Sequence, residues 1–242
     1  MRFSLRLLQS ATPPAKPRAG IKVPVNYLHT LLHRVENGWD PISNSYASSY
    51  ADFAWNERSP EIVYDLASRV GGLAGKRVLD LGGGPGQYSV LFAQHGAIVT
   101  WHDVSCEYES IARQRADVAG VSMSYSIGYL EDARCFESAL FDLVFCRGCW
   151  CYSRSDRAFA RLVYSLIKPG GVGYVECNTP EFSHPQSWRV AQYWLNRHLW
   201  LKVGHPMPPH GRIAALLQRC DLRDMTLDYS SRLRDIIIFT KA

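Results

Sequence analysis

The chain has 242 residues, 47% apolar and 20% charged, which suits one globular domain with an appendage and excludes wholesale disorder. No apolar run is long enough for a membrane span, and seven irregularly spaced cysteines read as reduced thiols of an intracellular chain. The formal charge of +5 arises in residues 1–35, which hold Arg2, Arg6, Lys16, Arg18, Lys22 and Arg34 and no acid; the nearly neutral remainder gives a nucleic-acid-binding face no support.

Residues 1–24 contain four prolines and read as a flexible basic tail. Because Met1–Ser10 is also acid-free and contains arginine and serine, a transit peptide is the other reading. The first places the protein in the cytoplasm, the second in mitochondria. Residues 25–75 form a helical N-terminal cap. Tyr27, Leu28, Leu31, Leu32 and Val35 follow the spacing of an amphipathic helix. Ser59-Pro60-Glu61 opens another helix, which runs to about Val70 and stops at Gly71-Gly72.

From residue 76 to the C-terminus the chain alternates between strand and helix. Strands are predicted at Lys76–Leu81, Ala97–Trp101, Ser122–Ile127, Phe141–Cys146 and Val172–Cys177. Helices fall at Gln87–His95, Glu107–Val118 and Ser155–Ile167. Such alternation implies an α/β fold with a mostly parallel sheet covered on both faces. Arg212–Cys220 then reads as a helix, and Leu222–Tyr229 with Asp235–Thr240 as an antiparallel pair.

Asp80-Leu81-Gly82-Gly83-Gly84-Pro85-Gly86 joins the first strand to its helix, at the carboxyl edge where such sheets bind ligands. Gly82, Gly84 and Gly86 let a ligand lie against the backbone. Their spacing departs from the dinucleotide fingerprint, and no lysine follows as in a phosphate-binding P-loop. Asp80 repels a pyrophosphate but suits a ligand carrying amino and sulfonium cations. Asp103, 23 residues further on, ends the second strand, where a carboxylate can accept from both hydroxyls of a ribose. The plainer role for Asp103 is to cap the next helix together with Ser105.

These segments, with Phe141-Asp142-Leu143-Val144 and Leu166-Ile167-Lys168-Pro169-Gly170-Gly171, resemble class I S-adenosylmethionine-dependent methyltransferases. The resemblance covers residues 76–242 and implies a Rossmann-like sheet of seven strands ending in an antiparallel hairpin. It implies S-adenosylmethionine as cofactor and S-adenosylhomocysteine as product. Gly82, Gly84 and Gly86 would approach the methionine moiety, with Asp80 near its amino group and Asp103 and Val104 at the ribose. Arg147 would border the same site. A departure occurs after the third strand, where Gly128 is followed by Tyr129 rather than an acid. Either Tyr129 packs on the adenine, or Glu131 or Asp132 reaches its amine. Tyr46 and Tyr50 resemble an N-terminal aromatic segment that closes over the cofactor, Tyr50 contacting it; packing within the cap accounts for them equally well.

Residues after the fourth strand, Arg147-Gly148-Cys149-Trp150-Cys151-Tyr152, would face the transferred methyl group. They lack the Asn/Asp-Pro-Pro-Tyr/Phe motif of amino-methyltransferases acting on adenine, cytosine or glutamine amides. Cys146, Cys149, Cys151 and Cys177 lack the paired spacing of a zinc site and read as small residues lining a reduced pocket, so no metal is expected. A hydroxyl acceptor needs a general base; His210 is the first candidate, with Tyr152 beside the reacting groups. Residues 180–210 form an insertion containing Trp188, Tyr193, Trp194 and Trp200, read either as a lid over an organic acceptor or as core packing through Trp188, Leu195 and Leu199. The expected activity is methyl transfer to an oxygen or nitrogen of a small organic acceptor. The rivals are an RNA methyltransferase, a nicotinamide oxidoreductase and a non-catalytic protein of the same fold. The sequence leaves the oligomeric state open.

Overall fold

The computed structural model describes residues 33, 35, 39–180, 187–231 and 233–242. The proline-rich segment and most of the Tyr27–Val35 helix lie outside the described residues. Two helices of the cap, α1 (Asn44–Asn56) and α2 (Pro60–Arg69), precede the sheet. The sheet region runs β1 (Arg77–Leu81), α3 (Gln87–Gln94), β2 (Ile98–Asp103), α4 (Cys106–Ala119), β3 (Ser124–Ile127), β4 (Phe141–Arg147), α5 (Asp156–Leu166) and β5 (Ile167–Asn178). It continues with α6 (Ser187–Leu199), α7 (Arg212–Leu217), β6 (Leu222–Asp228) and β7 (Arg234–Lys241).

The seven strands lie in the order β3-β2-β1-β4-β5-β7-β6. Pairing is parallel from β3 to β5, and β7 is antiparallel to both β5 and β6. This is the sheet that the resemblance implies. Strand order reverses between β1 and β4, so their carboxyl ends diverge and leave a crevice there. Val78, Leu79 and Leu81 of β1 and Leu143, Val144 and Cys146 of β4 are each wholly buried, because helices cover both faces of these central strands.

Local chemistry sets the element ends. Ser155 caps α5 by accepting from Ala158 N–H, and Ser105 caps α4 by accepting from Tyr108 N–H. Helix α5 ends one residue earlier than its sequence suggests, since Ile167 adopts extended backbone and pairs with Phe141. Strand β5 therefore begins at Ile167 rather than Val172, with a register shift in its pairing to β4 between Phe141 and Leu143. Helix α7 is shorter than expected. Its end tightens into three-residue bonds from Arg219 to Leu216 and from Cys220 to Leu217, which close the turn before β6.

Gly173 shows how closely the sheet packs. A Cβ built there would lie 2.3 Å from Phe239 Cζ, and Phe239 is itself wholly buried. Gly173→Ala should therefore lower stability by about 1–3 kcal/mol through overpacking, measured as a shift of the urea midpoint at unchanged slope.

Candidate active site

The glycine loop folds against the end of β2. Gly82 and Gly83 N–H both donate to His102 O, at 2.8 and 3.3 Å, and Gly84 N–H donates to Asp103 Oδ2 at 3.0 Å. Gly82, Gly84 and Gly86 all have positive φ, between 51° and 79°. A Cβ at Gly84 would meet nothing within 4 Å, so space opens beside the loop there, whereas one at Gly83 would strike the Trp101 ring. The loop and Asp103 thus share one edge of the sheet, as the sequence reading requires.

Two indoles hold the loop's carbonyls. Trp101 Nε1–H donates to Gly84 O at 2.9 Å, and Trp55 Nε1–H, from α1, donates to Pro85 O at 3.1 Å. Neither tryptophan stands out in the sequence, because the pattern marks one as a strand residue and the other as a cap residue. Asp40, also unremarked there, accepts from Ser105 Oγ and Glu107 N–H and so ties the cap to the start of α4.

The two acids differ in their bonding. Asp80 is 3% exposed and accepts from Ser89 Oγ at 2.6 Å. Burial lifts its pKa to about 7; the nearby Asp103 charge adds to this, while the Ser89 hydroxyl and Arg147 oppose it. Asp103 accepts from Gly84 and Ser105 N–H, yet burial still raises it to about 6. Ser105 rather than Asp103 provides the side-chain cap of α4, so Asp103 binds the loop while also steadying the residue that caps the helix. Two desolvated carboxylates beside open glycine backbone suit a ligand that brings hydroxyls and a positive charge.

Tyr50 lies between Tyr46, stacked at 6.0 Å, and Tyr108 at 5.9 Å. Burial raises its pKa, with the neighbouring Tyr46 adding to this, and the charges of Arg147 and Asp103 also reach it, which puts α1 at the edge of the site. Arg147 forms a 2.8 Å ion pair with Glu176, which also accepts from Tyr174 OH and pairs with Arg234. Cys149 packs against Gly82 and donates to Leu81 O, its sulfur 3.4 Å from that of Cys146. The Cys146 contact and burial hold the Cys149 thiol well above its ordinary pKa, so it serves as a neutral wall.

After β3, Asp132 accepts from Tyr129 N–H and closes a local turn, while Glu131 accepts from Arg154 N–H at 2.5 Å. Tyr129 OH donates to His33 O, and its ring stacks near Trp39 at 6.2 Å. The three candidates for the adenine region are therefore grouped, each already bonded to its surroundings.

Beyond β4, Tyr152 is exposed and its ring meets His205 at 4.7 Å. His210 Nδ1 lies 2.5 Å from Asp235 Oδ1, and Asp235 Oδ2 accepts from Gly211 N–H at 2.7 Å. Asp235 is 1% exposed and pairs in register with Cys177 at the carboxyl end of β5. Its part could not be read from sequence, since it only marks the start of a strand. The core-packing reading of the insertion fails for Trp188 and Leu199, which are both more than half exposed.

A sheet of this order, with a glycine loop tied to the acid that ends β2, is the Rossmann-like methyltransferase fold. The methyltransferase-domain family matches residues 55–227, and the chain belongs to that family. Among curated relatives it is 35% identical over 106 residues to the ubiquinone biosynthesis O-methyltransferase of Cronobacter sakazakii, a match spanning 44% of each chain. It is 28% identical over 151 residues to the enzyme of that name from Escherichia coli O81, spanning 62% of each. The matched part is thus less than two thirds of either relative. An O-methyltransferase family protein from Burkholderia thailandensis shares the fold, with a TM-score of 0.58 at 19% identity, covering 81% of this chain and 60% of that one. Among the described residues no helix is long and apolar enough to cross a membrane.

Asp103→Ala removes the acceptor that joins loop to strand and should weaken S-adenosylhomocysteine binding roughly 30- to 100-fold by calorimetry. The pH dependence has a definite sign. A cationic ligand prefers both acids ionised, and they take up protons as pH falls through about 7 for Asp80 and about 6 for Asp103. Affinity measured from about pH 8 down to about pH 5.5 should therefore fall, and the lower part of that decline should disappear in Asp103→Ala.

Proposed function

We propose that the protein binds S-adenosylmethionine along the glycine loop and transfers its methyl group to an oxygen of a small organic acceptor, releasing S-adenosylhomocysteine. Asp103, beside Val104, would accept from the ribose hydroxyls, and Asp80 would face the amino group. Gly82, Gly84 and Gly86 would leave room for the methionine chain. Tyr50 and Arg147 would border it, and Glu131 would close the adenine end. Two desolvated carboxylates next to bare backbone fit such a group, which pairs a ribose with cationic ends. When bound, the cofactor supplies an electrophilic methyl on a sulfonium, and its leaving group is neutral.

The residues of this chain then have to orient the acceptor, exclude water and accept a proton. The observation that favours oxygen is the contact between His210 and Asp235. A buried carboxylate beside Nδ1 would favour the tautomer that carries its proton there, which would turn Nε2 toward the acceptor as the base. An alcohol or phenol must lose a proton as it is methylated, whereas a neutral amine can attack without a base. Tyr152, at the rim with His205, would contact the acceptor. The curated relatives, named as O-methyltransferases, fit this reading.

With radiolabelled donor and a panel of phenols, alcohols and amines, turnover should appear on hydroxyl acceptors. His210→Gln should lower kcat on those acceptors by about 10²- to 10⁴-fold, with cofactor affinity unchanged. Asp235→Asn should act in the same direction. Full turnover of hydroxyl acceptors by His210→Gln would refute the assignment of the base.

A further inference from the structure

The one fully buried side chain described in helix α6 is polar, flanked by half-buried Gln192, Tyr193 and Leu195. Asn196 is that residue, at 1% exposed, while Trp188 at 57%, Val190 at 39% and Trp194 at 53% are open to solvent. The exposed apolar surface continues through Leu199, Trp200 and Leu201. A helix in a water-facing layer normally shows the reverse arrangement.

The inversion has a visible cause. Arg212 Nη1 donates to Asn196 O at 2.8 Å and to Asn196 Oδ1 at 3.0 Å, and Arg212 Nη2 donates to Arg197 O at 2.7 Å. Arg212 also pairs with the buried Asp156, which holds Lys202 at 3.1 Å. Polar bonds dock the helix and its following turn, leaving the tryptophans on the outside. Holding a rigid, uncovered aromatic face in water costs free energy unless something covers it.

Charge identifies the cover. Residues 182–220 contain no aspartate or glutamate. Arg189 and Arg197 are exposed on α6, and neither makes an ion pair among the described residues. From the neighbouring helix, exposed Arg157 places its guanidinium 4.0 Å from the Trp200 ring. A second copy docking by twofold symmetry would bring these cations against their own equivalents. Residues 1–35 are also basic and acid-free, so charge disfavours that segment as the cover as well. Tryptophans rimmed by arginines suit a boundary that is apolar below and anionic above.

We propose that this face seats the protein on an anionic lipid bilayer, with Trp188 and Trp194 entering the headgroup region and Arg189, Arg197 and Arg157 meeting lipid phosphates. The seat is peripheral and does not depend on which acceptor is methylated.

The test is cosedimentation of the full chain with vesicles of phosphatidylcholine alone, or of phosphatidylcholine with about 30% phosphatidylglycerol. Partitioning should favour the anionic vesicles by roughly tenfold or more and weaken as salt rises. Trp188→Ser with Trp194→Ser should reduce it about tenfold. Arg189→Glu with Arg197→Glu should remove the anionic preference. Both variants should bind S-adenosylhomocysteine as the parent does, which separates loss of the seat from loss of the fold and from failure of the methyl-transfer reading. Absent binding, or equal binding to both vesicles, would overturn the proposal. So would a doubled mass by light scattering that the tryptophan variant abolishes, which would assign the face to a second copy. Binding gained only on deletion of residues 1–32 would assign it to that segment and equally overturn the proposal.

Discussion

Asp103 makes the bond on which the site's geometry turns. One of its oxygens accepts from Gly84 N–H and the other from Ser105 N–H, so a single carboxylate joins the glycine loop, the end of β2 and the start of α4. Loop residues with positive φ have no side chains to hold them, and the loop is instead gripped from outside. Trp101 and Trp55 take two of its carbonyls, His102 O takes two of its N–H groups, and Cys149 closes against Gly82. The loop is thus rigid before any ligand arrives, which spares the binding step an ordering cost. Asp103 is kept desolvated beside Asp80, and both pKa values rise accordingly.

A second polar cluster plays a comparable part beyond β4. Asp156 Oδ1 receives Lys202 and the Trp150 indole, and Oδ2 receives Arg212; Lys202 also reaches Trp150 O and Ser153 Oγ. Buried charges of this kind are poor sources of net stability, because desolvation offsets most of their attraction. They do fix orientation. Here they fasten residues 196–202 of the insertion to residues 150–156 after β4, the segment that contains Tyr152. The same fastening turns α6 outward, so the placement of the rim and the exposed aromatic face share one cause.

The cap contributes by position. Ser43 and Asp40 set the starts of α1 and α4, and α1 brings Tyr50 and Trp55 to the loop. Tyr46 and Tyr50 do stack on one helical face, as their spacing suggests, yet Tyr50 also packs on Tyr108 of α4. The two readings of this segment are therefore compatible: packing against α4 is what holds the ring beside the charges of the site.

The sequence alone determined the strand–helix alternation, the glycine loop and the acid that ends β2, because these depend on local periodicity and on backbone freedom over a few residues. Gly82, Gly84, Gly86, Asp80 and Asp103 were legible for that reason. Tertiary structure decided the rest. Asp235 acquires its part only when β7 pairs beside β5 and brings it to His210, and Trp55 only when α1 crosses the loop. The outward face of α6 could not be read from its apolar spacing, which marks a side that wants burial without saying what lies opposite. Arg212 and Lys202, distant in sequence from Asp156, chose the polar side instead, because an unpaired charge in the interior costs more than a tryptophan left in water.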